Sequence, residues 1–255
     1  MKLEFKDIIN KHKGKKCIVV GHGPSLNPYL DKLKDYKNNG YIIIGCNNWN
    51  EFYINTPPHY WLNANNADDT KTFLNVINTH KPIWIYADSV DLADKKWIEE
   101  NINVDYLPYD QRHFEGKRCS SCDSYGCDKY LNPNRLTIQE ELKKYTNFKK
   151  RYNSGHTVAV HMLAFSILLG CSEIYVIGLD FDYHIGYAKN TTNRAIPENA
   201  YWHFDLDRYG SEILEDVKTI YKSAQKVGVK MYNSNPNSSW KIMEYKGLPI
   251  LNNKK

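Results

Sequence analysis

The stretch KKCIVVGHGPSL (15–26) runs four apolar residues, Cys17 to Val20, straight into Gly21, His22, Gly23, Pro24 and Ser25. A buried strand ending in a glycine turn is where open α/β sheets bind ligands. Bare glycine amides with a helix N-terminus beyond favour phosphate. No Gly-Lys-Ser/Thr follows, so the turn is not a P-loop. It is not a dinucleotide fingerprint either. The third glycine is missing, and the second strand-like run ends in Cys46, Asn47 and Asn48 rather than an acid that would grip a ribose diol. Asn47 and Asn63 both stand at strand ends, and each offers two donors and an acceptor, suited to sugar hydroxyls and base edges. The plainer alternative is a tight turn with asparagine caps.

A second polar cluster follows far along the chain. Arg151, Asn153, Ser154 and Gly155 open an apolar helical run that closes at Gly170, which makes another anion-friendly helix start. His161 lies inside the apolar face of that run and reads as a core residue. Asp180 and Asp182 form an Asp-x-Asp at a strand end. Such a pair either chelates a divalent metal through a pyrophosphate or is structural, with Asp180 buried; the second reading is favoured here. A third cluster, Cys119, Cys122 and Cys127, has the opening spacing of a zinc knuckle, with His113 as one available fourth ligand. The full four-ligand signature is absent. The alternatives are a structural zinc away from the chemistry or a loop with reduced thiols.

The elements that would position these groups alternate along the chain. Strand-like runs are CIVVG, YIIIGCN, HYWLNAN, KPIWIYAD, the weaker NVDYLPY, EIYVIGLDF and VKMYNSN. DDTKTFLNVINTH, VDLADKKWIEEN and NSGHTVAVHMLAFSILLG have helical spacing. Alternation of this kind predicts an α/β fold, a Rossmann-like, mostly parallel sheet with helices on both faces. A single domain over 1–255 is expected, since 255 residues with 42% apolar content can bury a full core and no linker or repeat is evident. Two irregular stretches interrupt the pattern, a Cys-containing insertion at about 108–135 and a lid at about 182–208.

Charge and termini narrow the class further. The net charge of +5 is dispersed among many acids, which favours an anionic small ligand or general solubility over nucleic acid. MKLEFKDIINKHKGKK has no apolar signal region, and HMLAFSILLGC is shorter than the ~20 residues a bilayer requires. The expectation is a cytoplasmic chain whose six cysteines serve as thiols or metal ligands rather than disulfides.

Taken in order, these stretches resemble the bacterial sialyltransferases of glycosyltransferase family forty-two, and the wider set of motility-linked proteins sharing their nucleotide-binding core. The family's Gly-Asn-Gly-Pro-Ser-Leu is matched by residues 21–26. Its Cys-Asn strand end is matched by Cys46 and Asn47, and its third strand-end asparagine by Asn63. Its Arg-x-Thr-Ser-Gly is matched by Arg151, Asn153, Ser154 and Gly155, and its Gly-x-Asp-Phe by Gly178, Leu179, Asp180 and Phe181. A closing Pro-Asn-Ser is matched by Pro236, Asn237 and Ser238. The departures are His22 for the turn asparagine, Asn153 for the threonine, and the cysteine insertion, which has no counterpart.

The resemblance implies transfer of a sugar from a CMP-sugar donor to a glycan acceptor, with inversion and without a metal. The sugar expected is sialic acid or a related nonulosonic or keto-sugar acid. Tyr183 and Tyr187 would hydrogen-bond the departing phosphate, and His203 in the lid would be the base, with His184 as its rival. His156, next to Gly155, could touch phosphate instead. Donor contacts would come from Gly21, His22, Gly23, Ser25, Asn47, Asn63, Arg151, Asn153, Ser154, Gly155 and Asp180. No cofactor is required for catalysis; a structural Zn is the one metal considered. The partners that go with this reading are the nucleotide-sugar donor and a glycan or glycolipid acceptor, with peripheral membrane contact and a homo-oligomeric state, and no nucleic acid. Two alternatives stand beside it: a pterin-type pyrophosphokinase, which shares the core and needs magnesium held by carboxylates, and a non-catalytic nucleotide-binding module, which His22 would favour.

Overall fold

The computed structural model describes residues 1–63, 74–87, 96–97, 100–109, 138–148, 157–180, 206–238 and 240–251. The strands are β1 (Lys16–Val20), β2 (Ile42–Cys46), β3 (Tyr60–Asn63), β4 (Ile83–Ala87), β5 (Tyr106–Tyr109), β6 (Glu173–Ile177), β7 (Lys230–Asn233) and β8 (Glu244–Tyr245). The helices are α1 (Leu33–Asn38), α2 (Trp49–Tyr53), α3 (Leu74–His80), α4 (Ile138–Thr146), α5 (Val158–Leu168) and α6 (Leu206–Lys226). The α/β expectation is met by one sheet of order β5-β4-β3-β2-β1-β6-β7-β8, parallel at every pairing.

Short apolar runs become strands because both sheet faces are covered, and successive side chains serve opposite faces. Cys17 and Val19 point to one core with Ile42, Ile44, Leu62 and Val176. Ile18 and Val20 point to the other with Ile43, Trp61, Trp84 and Ile177. Helix α5 lies in the first core with all of its side chains buried, which is why its sequence is apolar all round. It stops at Gly170, whose φ of +78° suits the left-handed position after a helix end. Helix α6 is amphipathic instead, burying Ile213, Val217, Ile220 and Ala224 at spacings of one turn.

Three details depart from the sequence reading. The segment after the glycine turn is a 3-10 helix, Pro24–Lys32, before it becomes α1. The 108–135 insertion begins within β5, and α6 reaches back to Leu206 inside the 182–208 range. Strand β8, two residues long, was not expected at all; it pairs Tyr232 with Glu244.

Sheet order fixes where the topology switches direction. The chain starts at the centre, runs outward to β5, then returns to place β6 against the open side of β1. The strand order reverses between β1 and β6, and the carboxyl ends there form the switch point.

His59 joins β2 to β3 through its side chain. The Ile43 N–H donates to His59 Nδ1 at 3.0 Å, which requires an unprotonated ring nitrogen. Burial, followed by the nearby charge of Lys37, holds its pKa down to about 4 from the ordinary 6.5. Between those values the unfolded chain takes up a proton that the folded chain refuses, so this contribution to stability is full above pH 6.5 and drains away as pH falls toward 4. His59→Asn keeps an acceptor for the Ile43 N–H without the titration. Its melting temperature should fall less steeply than wild type between pH 6.5 and 4 when followed by calorimetry.

Candidate functional site

The glycine turn after β1 is fastened to the turn after β6. Gly21 N–H donates to the Ile177 carbonyl and Gly23 N–H to the Gly178 carbonyl, both at 2.8 Å. In return the Gly178 N–H donates to Ser25 Oγ at 2.9 Å. The Ser25 N–H donates to Asp180 Oδ2, also at 2.9 Å. Both glycines are needed for this close approach. A Cβ on Gly21 would overlap Leu179 and the Gly178 carbonyl, and one on Gly23 would overlap the Asp180 carboxylate. Gly178 itself has φ +68°. The sequence reading took these amides as bare and phosphate-facing; the amides of Gly21, Gly23 and Ser25 are instead spent on the neighbouring strand end.

Asp180 is the centre of this arrangement, and it is only 5% exposed. Its Oδ1 accepts from Asn235 Nδ2 at 2.8 Å, and its carbonyl accepts from the Trp240 indole N–H at 3.0 Å. Asn235 is oriented in turn, because its Oδ1 accepts from the Asn237 N–H at 2.9 Å. Both carboxylate oxygens of Asp180 are therefore hydrogen-bonded within the protein. Asn235 and Trp240 were missed from sequence. The signal for the first was its place beside the matched 236–238 motif; nothing local marked the second.

The other side of the turn faces β2 and β3. The His22 ring stacks on Phe52, with centroids 4.1 Å apart and planes at 15°. His22 Nε2 lies 3.8 Å from Cys46 Sγ. Burial pushes the Cys46 thiol up to about 12, which keeps it protonated at neutral pH. The adjoining Asn47 has φ +36°, a region asparagine tolerates better than most side chains. Its N–H donates to the Leu62 carbonyl at 2.9 Å, and its carbonyl accepts from the Trp61 indole at 2.7 Å. Asn63, buried to 2% exposure, ends β3 next to Leu62. His22, Asn47 and Asn63 thus stand at the carboxyl ends of three adjacent strands. Phe52, the flat support behind His22, was another residue the sequence reading missed.

Helix α5 is capped by Thr157, whose hydroxyl accepts from the Ala159 N–H at 3.3 Å. Arg151, Asn153, Ser154, Gly155 and His156 precede it in the chain and lie outside the described residues. So do Tyr183, Tyr187, His184, His203 and Asp182, and with them Cys119, Cys122, Cys127 and His113. His161 is fully buried, its ring centroid 5.1 Å from that of Tyr109, so it is a core residue. Among the described residues no group of three His, Cys, Asp or Glu side chains is placed to hold a metal, and Cys17, Cys46 and Cys171 are buried free thiols.

No protein-family model matches the chain, and no curated protein sequence does. Solved structures share its fold. A point variant of the sialyltransferase CST-II in complex with CMP superposes with a TM-score of 0.50 at 19% identity, over 91% of this chain and 86% of that one. The α-2,3-sialyltransferase Cst-I from Campylobacter jejuni gives 0.46 at 17% identity, over 89% and 78%. The MAf glycosyltransferase from Magnetospirillum magneticum gives 0.48 at 13% identity, over 89% of this chain and 33% of that one. At these identities the likeness is one of fold.

Asp180→Asn tests the fastening. One face of the new amide would present N–H to a donor, either Ser25 N–H or Asn235 Nδ2, and Asn235 cannot turn without releasing Asn237. Loss of about 1–3 kcal/mol of stability is expected, read as a lower urea midpoint at unchanged slope. Gly23→Ala, whose methyl would meet the same carboxylate, should shift the midpoint in the same direction.

Proposed function

We propose that this chain is a metal-independent, inverting glycosyltransferase of sialyltransferase-like type that takes its sugar from a CMP-sugar donor. The observation that carries the reading is the row of His22, Asn47 and Asn63 across the ends of β1, β2 and β3 at the switch point. Uncharged donors and acceptors suit a nucleoside and a sugar, and no P-loop lysine accompanies them to hold a triphosphate. The fold shared with a CMP-bound sialyltransferase supports the same choice, as does the ordered set of motifs in the sequence. The engagement of both Asp180 oxygens speaks against a magnesium-gripping carboxylate pair, and so against the pyrophosphokinase alternative.

In this reading the sugar's bond to the CMP phosphate oxygen breaks as an acceptor hydroxyl attacks the opposite face of the anomeric carbon. His203 takes the proton of that hydroxyl, a task suited to an imidazole at neutral pH. Tyr183 and Tyr187 donate to the departing phosphate, and neutral donors suffice because the leaving group is a monophosphate. Arg151, Asn153, Ser154 and Gly155 complete the donor site. The acceptor is a glycan or glycolipid. In this reading residues 1–255 are a single domain, and the lid expected at about 182–208 is the segment that carries His203. Among the described residues no helix is long and apolar enough to cross a membrane.

Thermal-shift titration with CMP, and with ATP in the presence and absence of magnesium, tests the donor. CMP without magnesium should raise the melting temperature; at ~100 times its Kd the gain is ~2.7 kcal/mol. A magnesium-dependent ATP response without a CMP response overturns the reading.

His203→Ala should lower kcat by roughly 10²–10⁴-fold while leaving CMP affinity nearly unchanged, because a base touches the acceptor. If His203→Ala keeps its kcat and His184→Ala loses it, the base lies between the two tyrosines.

A further inference from the structure

A cleft of about 450 Å³ lies between helix α6 and the segment that follows β7. One stripe of α6, Ile213, Val217, Ile220 and Ala224, is buried in the main core. The adjacent stripe is not. Leu214 and Tyr221 are half-buried and line the cleft, and Trp240 and Ile242 complete its apolar floor from the opposite side. The rim is cationic, carrying Lys218, Lys222 and Lys241, and no carboxylate among the described residues lines it. Lys218 is held by Glu215 at 2.6 Å. Lys222 and Lys241 are exposed, and neither has a carboxylate partner among the described residues.

We propose that this cleft binds a single-chain amphiphile with an anionic head. The chain lies over Leu214, Tyr221, Trp240 and Ile242, where it removes apolar surface from water. The head meets Lys222 and Lys241, whose ammonium groups carry charge that no carboxylate among the described residues neutralises. An apolar floor alone would take any hydrophobe, and a lysine pair alone would take any anion; the two together select a molecule that has both parts. The floor also touches the strand-end site. The Trp240 indole N–H holds the carbonyl of Asp180, so an occupant packs against the ring that fastens the switch point. The assignment rests on the cleft itself and stands apart from the donor reading.

Calorimetric titration of the full chain with decyl phosphate, below its micelle concentration, tests this directly. Saturable one-to-one binding is expected, at least tenfold tighter than inorganic phosphate and at least tenfold tighter than decyl maltoside. The double variant Lys222→Glu, Lys241→Glu should bind decyl phosphate at least tenfold more weakly with an unchanged melting temperature, since both side chains are exposed. Equal binding of the maltoside reduces the cleft to a hydrophobic patch, and equal binding of phosphate reduces it to a cation pair; either overturns the proposal. So does the absence of saturable binding, or wild-type affinity in the double variant. Sedimentation of the free protein adds a last check: concentration-dependent dimers lost in the double variant would assign the cleft to a second copy and overturn the amphiphile.

Discussion

One buried carboxylate holds the carboxyl end of this sheet together. Asp180 accepts from Ser25 after β1 and from Asn235 after β7, while its own carbonyl accepts from Trp240. Removing a charge from water is costly unless it is hydrogen-bonded, and charge-assisted bonds are the strong ones. The same carboxylate explains the glycines. Its position against Gly23, and that of Gly178 against Gly21, leave no room for a side chain at either place. The turn that looked like a cradle for phosphate is a clasp between two parallel strands.

With the β1–β6 side clasped, the ends of β1, β2 and β3 are left as the polar row beside the switch point. That row has a stiff backing. Trp61 stacks on Trp84 at 5.6 Å and Trp84 on Tyr86 at 4.6 Å, across β3 and β4. Trp61 also donates to the Asn47 carbonyl, so the backbone that presents one asparagine is pinned by the aromatic layer. Sites held by packed rings on regular strands keep their geometry better than sites carried on loops alone. His22 follows the same logic, flat against Phe52 with its Nε2 toward Cys46.

The architecture was legible because its signal is local. Runs such as 17–20 and 174–177 are apolar on both faces, and only a strand with cover on both sides needs that pattern. Strand β8 was not legible, since two exposed residues carry no periodicity. The glycine turn was located but misread for a physical reason: a missing Cβ makes room without saying whether a ligand or another strand end fills it. Its true neighbour lies 153 positions along the chain. Asn47 shows the same ambiguity, because a residue chosen for hydrogen bonding also suits a left-handed backbone. Phe52 and Trp240 act only through contacts that folding creates, so no short motif announced them, and Asn235 was marked only by standing next to the 236–238 motif.

The central place of β1 bears on how the chain comes to be folded. Strands β1 to β5 can pair among themselves as soon as they are made, each beside its sequence neighbour. The inner edge of β1 then has to wait for β6, which arrives only after a long intervening stretch has been synthesised. Until that moment Cys17 to Val20 is an apolar strand with unsatisfied amides along one side, the kind of edge on which other chains add. Closing so distant a pair carries a large loop entropy before any contact rewards it. The hazard of aggregation during biosynthesis therefore falls in the interval between β5 and β6, and it ends when the turn after β6 reaches the glycines.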